Sequence, residues 1–477
     1  MSEKIHFETL GCKLNQVESE GAASAFKKTG FEISMQPFSA ASKEDLSIRL
    51  CVVNTCTVTA KAEQKARRII RLLLAKCPQS AVLVTGCYAQ NSPKEILELS
   101  ERVCVLGGQY KGHIADLPEL LKQNPALFGE ELACFIQKIF EPFYKEPQLK
   151  QANPSLQQPF RLVPEDFSHH SRASLKIQDG CNCVCTYCAI RLARGKSVSL
   201  DAQEALNRVV ELEKNGQREV VITTVNIAQY RGRYKDGYLD FAGLLRLFLE
   251  NTSTIRFRIS SLYPEIVNEE LAQIISSSRV CPHFHLSVQS GSDSVLERMK
   301  RPYKIEAVYK ACRLLKEAKG NPFLACDIIA GFPGETEEDF AQTMKMLEDC
   351  GFTFVHAFPF SARPNTEAFF MRPMVPNRTA KNRIDALEAF NEKSKTAYIK
   401  SFEGQVLKAV CETVHRPKIL ADRIIVHGVT DNFLHCKLVF SKDEKLPEPG
   451  TLINVKILRP LSKTEISGES DTLGALV

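Results

Sequence analysis

Apolar and polar positions follow three regimes along this chain. Over residues 1–125, short apolar runs at 5–9, 50–53, 81–85 and 103–106 alternate with helical periods at 17–29, 60–76 and 114–122. That alternation predicts a parallel sheet with helices on its faces. From 126 to 170 the pattern lapses into polar residues broken by Pro142, Pro147, Pro154, Pro159 and Pro164, which predicts a linker with one helix near 130–140. Six strand candidates then appear at 173–178, 220–226, 255–261, 283–288, 323–331 and 353–360, with helical periods between them. Six βα units predict a partial barrel, built like the first six units of a TIM barrel, over 171–401 with a trailing helix at 378–400. Residues 402–461 change to short β-rich runs separated by Asp431-Asn432 and by Pro447 to Gly450, the pattern of a small β-barrel, and 462–477 reads as a tail.

The composition fits this α/β reading. With 477 residues, 44% hydrophobic and 25% charged, the chain has material for about three globular domains. The first fifteen residues turn polar too early for a signal or transit peptide, and no apolar run approaches a membrane span. A cytoplasmic protein without membrane contact is expected. In a reducing compartment, seventeen cysteines point to free thiols or metal ligands, not disulfides. Six read as ligands and eleven, Cys183 included, as small apolar residues. The net charge of +6 permits a nucleic-acid partner without requiring one.

The six arise in two sets of three. Cys181, Cys185 and Cys188 share one CxxxCxxC loop after the first central strand. Iron-sulfur clusters usually take four thiolates, so three leave one iron open to a cofactor; a zinc knot and packed apolar cysteines are the other readings. Cys12, Cys56 and Cys87 each fall just past a predicted strand of the first domain. In an open parallel sheet those ends share one edge, where ligands bind. They would form a second three-thiolate site, unless they are separate buried cysteines such as Cys51 and Cys104. The helix after Cys56 stacks basic residues, which suits either a solvated face or phosphate. Further on, the run Ser287 to Ser292 offers small polar donors to a ribose or carboxylate. The run Gly331 to Thr336 makes a tight strand-to-helix turn. His283 and His285 share one strand face, as packed core or as a cofactor wall.

Taken in order, Gly11-Cys12-Lys13-Leu14-Asn15-Gln16, Asn54-Thr55-Cys56, Thr85-Gly86-Cys87, the CxxxCxxC loop, His285 to Ser292 and Gly331 to Thr336 resemble the methylthiotransferase family of radical S-adenosylmethionine enzymes. The Cys-Lys-Leu-Asn run resembles the branch acting on N6-threonylcarbamoyladenosine in tRNA. The resemblance implies an N-terminal cluster domain, a central radical SAM (βα)6 partial TIM barrel and a C-terminal TRAM barrel that binds RNA. It also implies two 4Fe-4S clusters, one on Cys181, Cys185 and Cys188 and one on Cys12, Cys56 and Cys87. S-adenosyl-L-methionine would lie against Tyr187, Thr224, Asn226, Ser287, Gln289, Ser290, Gly331 and Glu335. A monomer taking electrons from an external flavodoxin-type reductant, and adding methylthio to carbon 2 of the adenine, completes the expectation. The rivals are another methylthiolation target (isopentenyladenosine in tRNA or a ribosomal protein) and a non-catalytic iron-sulfur protein that binds RNA and senses redox state. The last would need neither the 287–292 run nor the 331–336 turn. Four residues depart from the family pattern: Thr224 and Asn365 stand for Gly, Arg191 for Pro, and Cys183 adds a thiol.

Overall fold

In the computed structural model, which describes residues 3–142, 158–164, 172–415, 423–462, 465 and 470–477, the chain forms two compact units. Most of the expected linker, 143–157 and 165–171, lies outside the described residues. The first unit comprises Met1–Asp166, Lys176–Leu200 and Ser361–Phe369. Its sheet holds five parallel strands in the order β2-β1-β3-β4-β5: β1 (Lys4–Thr9), β2 (Glu32–Ser34), β3 (Ile48–Thr55), β4 (Ala81–Gly86) and β5 (Val103–Val105). Successive side chains of a strand point to opposite faces, and both faces here are covered. Ile5, Phe7, Leu50, Val52 and Leu83 pack on one side, and Cys51, Val53, Val82 and Val84 on the other. The short edge strand β2 is polar and partly exposed, so no apolar run announces it. Helices Lys13–Lys28, Ala60–Lys76 and Gly129–Phe140 cover the sheet, the second with its buried stripe at Ala66, Ile70 and Leu73. The CxxxCxxC loop belongs to this unit, its base closed by β7 (Gln178–Asp179) pairing antiparallel with β8 (Val198–Ser199).

The second unit comprises Phe167–Leu175, Asp201–Phe360 and Phe370–Val477. Its main sheet runs β15-β14-β13-β12-β9-β6 through β6 (Ala173–Lys176), β9 (Glu219–Thr223), β12 (Arg256–Leu262), β13 (Val280–Gln289), β14 (Phe323–Ala330) and β15 (Phe354–Pro359), with a hairpin of β10 (Gly232–Tyr234) and β11 (Gly237–Leu239) outside it. Each strand neighbours the one before it in the βα series, as a partial TIM barrel requires. The C-terminal part closes into a five-stranded barrel, β16 (Val406–His415), β17 (Arg423–Thr430), β18 (His435–Ser441), β20 (Thr472–Leu476) and β19 (Leu452–Pro460). Closure corrects the reading of 462–477 as a tail, because β20 pairs with both β18 and β19. With Gly474 at its centre, five residues of mixed polarity give no strand pattern on their own. Of the eleven cysteines read as apolar fillers, nine are buried, whereas Cys134 is exposed and Cys183 half-buried.

One carboxylate organises the polar part of the contact between the small barrel and the larger one, beside an apolar cluster that joins Phe323 and Tyr398 to Leu434. Glu219, on β9, accepts from Arg258 Nε at 2.7 Å and from Arg256 at 2.8 Å. Arg258 in turn donates to the carbonyls of Thr430 (3.0 Å) and Asp431 (3.1 Å) at the β17–β18 turn. His283 stacks on Phe433 of that turn with ring centroids 3.9 Å apart, so it is packed core. Burial alone would raise Glu219, but Arg258, Arg172 and Arg256 bring it down to about 2. A carboxyl held below its unfolded value of about 4.5 stabilises the fold fully above that value and loses the contribution as pH falls through 2. Glu219→Gln should therefore cost roughly 3 kcal/mol at neutral pH. In urea unfolding across a pH series, the gap between parent and variant should stay constant above pH ~5 and close toward pH 2.

Candidate cysteine centre and cofactor site

Register brings the first three thiols together. Thr9 pairs with Asn54 and Thr55 with Gly86, so β1, β3 and β4 end almost level, and Cys12, Cys56 and Cys87 follow within one to three residues. Gly11, at φ +109°, lies so close that a Cβ there would meet Cys56 Cβ at 2.7 Å and its Sγ at 3.2 Å. Cys12 precedes helix Lys13–Lys28, and Cys87 opens the short helix Cys87–Asn91. Asn15 fixes this edge: its Nδ2 donates to the carbonyls of Leu10 (2.7 Å) and Thr55 (3.1 Å). The asparagine of the Cys-Lys-Leu-Asn run is thus a clamp between two of the cysteine-bearing turns.

Its Oδ1 reaches the other set. Arg194, just beyond the CxxxCxxC loop, donates to Asn15 Oδ1 at 2.7 Å, to Asp179 at 2.9 Å and to Glu18 at 3.1 Å. Lys176 Nζ donates to Glu18 (2.7 Å) and Asp179 (2.5 Å), and Lys111 Nζ to Glu18 (2.5 Å). All five charged groups are buried. Gly180, at φ +67°, has no room for a side chain, since a Cβ would stand 2.0 Å from the Lys196 carbonyl oxygen. Cys181 N–H donates to the Gly195 carbonyl at 3.1 Å and Cys188 N–H to that of Cys185 at 3.1 Å. A strap from the far end of the chain touches both sets of turns. Arg363 donates to Glu63 and Thr57, next to Cys56, and Ala368 N–H donates to the Thr186 carbonyl at 2.8 Å. In that strap Asn365 has φ +64°, which explains how Asn serves in place of Gly.

Burial disfavours the charged form of these thiols. Burial pushes Cys56 up to about 11, with Cys87 and Cys12 adding repulsion while Arg194 opposes it. Burial also raises Cys87, against the pull of Arg194 and Lys111, and raises Cys188 to about 12 with help from Cys185 and Cys181. Cys183 hydrogen-bonds the thiols of Cys181 and Cys185, which raises it further than burial does. Three cations face only two carboxylates in the buried network, so an anionic ligand set beside Arg194 would balance the charge. Among the described residues, no three Cys, His, Asp or Glu side chains gather at single-ion distance. Thiolates of a cluster each bind a different iron and stand farther apart. The donor set, the glycine-opened turns and the positive surroundings fit iron-sulfur clusters.

The expected cofactor contacts other than Tyr187 lie in the second unit, at carboxyl ends of β9, β13 and β14. Thr224 is buried and its Oγ1 has no partner among the described residues. Asn226 Oδ1 accepts from Ala228 N–H at 3.0 Å. Ser287 Oγ lies 3.0 Å from Ser261 Oγ, and Ser290 Oγ accepts from Ser292 N–H at 3.2 Å. Gln289 has φ +74°, a left-handed conformation that costs a non-glycine residue about 1 kcal/mol or more and is concentrated at ligand sites. Glu335 is different: its Oε2 accepts from Gly331 N–H at 2.6 Å and from Arg383 at 2.7 Å, so it latches the Gly331 turn. His285 pairs with Asp327 at 3.0 Å.

With this geometry in view, the comparisons are consistent across the chain. The Radical SAM superfamily model matches residues 175–347, and the model of uncharacterized protein family UPF0004 matches residues 4–108. The chain is 42% identical over 474 residues to threonylcarbamoyladenosine tRNA methylthiotransferase MtaB of Treponema pallidum (strain Nichols), covering 91% of this chain and 94% of that protein. The chain belongs to the MtaB family. The MtaB of Bacillus subtilis (strain 168) is 33% identical over 459 residues, with 95% of this chain and 94% of that protein covered. Among solved structures, the radical S-adenosylmethionine methyltransferase TsrM from Kitasatospora setae shares the fold, with a TM-score of 0.52, 15% identity and 77% of each chain covered. Among the described residues, no helix is long and apolar enough to cross a membrane.

Sequence reading missed Glu18, Lys111, Lys176 and Arg194, although all four are buried in this MtaB-family fold. A signal existed at two of them: Glu18 sits between Val17 and Ser19 on the buried side of its helix, and Lys176 ends an otherwise apolar strand. Two outcomes follow. Glu18→Gln leaves three buried cations facing one carboxylate and should cost about 3–5 kcal/mol in denaturant unfolding. Thr224→Val removes only a buried, unpartnered hydroxyl, so the cofactor-free protein should gain about 1 kcal/mol in the same measurement. If that hydroxyl serves the cofactor, S-adenosyl-L-methionine should bind Thr224→Val about three- to tenfold more weakly by calorimetry.

Proposed function

We propose that this chain adds a methylthio group to carbon 2 of N6-threonylcarbamoyladenosine next to the anticodon of tRNA. The observation that carries the reading is near full-length similarity to MtaB, at 42% identity, with both cysteine sets present and joined through one buried ion network. Carbon 2 of adenine bears an unactivated C–H bond that no side-chain acid, base or nucleophile opens, and 4Fe-4S clusters with S-adenosyl-L-methionine supply the one-electron chemistry that does. Cys181, Cys185 and Cys188 would hold one cluster, their loop kept open at one corner because the motif has three thiols. Cys12, Cys56 and Cys87 would hold the other, at the sheet edge that Asn15 and Gly11 shape.

Tyr187, Thr224, Asn226, Ser287, Gln289, Ser290 and Gly331 would bind and orient the cofactor, with Glu335 keeping the Gly331 turn in place. The C-terminal barrel would contribute to RNA binding, and an external reductant of the flavodoxin type would supply electrons to a monomer in the cytoplasm. The threonylcarbamoyl branch is favoured over the other targets by Cys12-Lys13-Leu14-Asn15, in which Asn15 links both cysteine turns to Arg194.

The test is nucleoside mass spectrometry of tRNA from cells with and without the protein, in which the 2-methylthio form should depend on its presence. Cluster roles are separable. Anaerobically reconstituted protein should carry about eight irons, if each set holds one cubane cluster, and replacing Cys181, Cys185 and Cys188 by Ala should leave roughly half. Replacing Cys12, Cys56 and Cys87 by Ala should preserve dithionite-driven formation of 5′-deoxyadenosine while abolishing methylthio transfer. Loss of both products in a folded variant that keeps its other cluster would overturn the division of roles.

A further inference from the structure

Helix Ala60–Lys76 carries six basic residues, Lys61, Lys65, Arg67, Arg68, Arg71 and Lys76, against Glu63 alone. Its net +5 nearly equals the +6 of the whole chain. The C-terminal barrel, closed by β20, has ten Lys and Arg against ten Asp and Glu over 402–477 and so carries no net charge. The inner contacts of the helix are all accounted for. Ala66, Ile70 and Leu73 are buried, Glu63 accepts from Arg363 and Thr57, and Arg67 donates to Tyr88 Oη at 2.7 Å beside Cys87. Lys61, Lys65, Arg68 and Arg71 remain on the outside, exposed and with no partner among the described residues.

An ordinary solvated helix face in this protein is built differently. Glu204 pairs with Arg208, Arg313 with Glu317 and Lys345 with Asp349, each at i,i+4. Helix Ala60–Lys76 instead sets like charges at i,i+4 (Lys61 and Lys65) and at i,i+3 (Lys65 and Arg68, Arg68 and Arg71), which weakens a helix. A row that opposes the helix carrying it calls for a polyanion. From Lys61 to Arg71 the row is about 15 Å long, the rise of roughly four stacked nucleotides at ~3.4 Å each. It begins five residues after Cys56. A protein partner would need an apolar centre within the patch, whereas the exposed side chains between Lys61 and Arg71 are Lys61, Gln64, Lys65, Arg68 and Arg71, all polar or charged.

Resting on the tRNA reading above, we propose that Lys61, Lys65, Arg68 and Arg71 form a phosphate rail that seats the RNA strand leading to the Cys12, Cys56 and Cys87 site. The contact is to phosphates, so it carries affinity and placement, not base identity.

The test uses the reconstituted full chain and a tRNA transcript. A quadruple variant, Lys61→Gln, Lys65→Gln, Arg68→Gln and Arg71→Gln, keeps good helix formers throughout. Its affinity at about 0.1 M salt should fall at least tenfold. The slope of log K against log salt should shrink by about 3, at ~0.7 per phosphate for a single strand. RNA-independent cleavage of S-adenosyl-L-methionine should stay at the parent rate. In the unmutated holoprotein, the tRNA transcript should protect Lys61 and Lys65 from acetylation, a readout that does not depend on the variant folding. Parent-like slope together with unprotected lysines overturns the rail. A variant that binds tRNA normally but is reduced more slowly by an acidic flavodoxin-type protein, in a salt-dependent way, also overturns it and assigns the row to the electron donor. Failure of the unmutated protein to bind tRNA would instead remove the reading on which the rail rests.

Discussion

Glu18 and Asp179, buried against Lys111, Lys176 and Arg194, are the interaction on which the first unit depends. Removing five charges from water costs several kcal/mol per ion, and apolar residues of the same volume would often give equal or greater stability. The return is placement. Glu18 comes from the helix that Cys12 opens, Lys111 from the 3-10 turn after β5, and Lys176, Asp179 and Arg194 from the two flanks of the CxxxCxxC loop. The arrangement observed pairs all five groups at once. The loop and the sheet edge are therefore located by hydrogen-bond geometry, which is more restrictive than apolar packing.

The same network sets the charge around the thiols. Arg194 is held in its charged form by Asp179 and Glu18 despite complete burial, and its field reaches Cys12 and Cys87 as well. With protons on the thiols, the interior would keep an uncompensated positive charge. Thiolates bound to a metal cluster would offset that charge. Burial that raises Cys56 and Cys87 acts against bare thiolates, while Arg194 pulls the other way. The buried thiols and the ion network share one electrostatic balance.

Much of this was legible in the sequence because it is local. Strands with both faces covered read as apolar runs, and three of the four runs lead straight to a cysteine, so Cys12, Cys56 and Cys87 were expected on one edge. Helix Ala60–Lys76 spans the residues that its apolar period predicts. What was not legible is what distance in sequence conceals. Arg194 meets Asn15 across 179 positions and Glu18 across 176, and no periodicity records such a pairing. Strand β20 shows no apolar alternation because the positions it buries are Thr472 and Gly474, one polar and one without a side chain. The family resemblance placed Glu335 among the expected cofactor contacts. Its partners, Gly331 N–H and Arg383, are visible only in three dimensions. Nor does sequence reveal that Gln289 has a left-handed backbone.

The second unit repeats the device with Glu219, and the comparison shows what a buried carboxylate accomplishes in each place. Glu219 gathers Arg256 and Arg258 from the neighbouring strand β12, and Arg258 continues to the carbonyls of Thr430 and Asp431. On a strand the side-chain period is two, so a slip of one residue between β9 and β12 would turn both arginines away from Glu219 and leave the carboxylate unpaired. That error would cost far more than a mispaired valine. Register of the barrel strands and seating of the C-terminal barrel are thereby made one decision. Because Thr224 follows Glu219 just past the end of β9, and Ser287 and Gln289 lie on β13 next to β12, a fault at the base of the barrel would displace the groups at its rim. The charged groups at the start of the strands are what keep those strand ends in position.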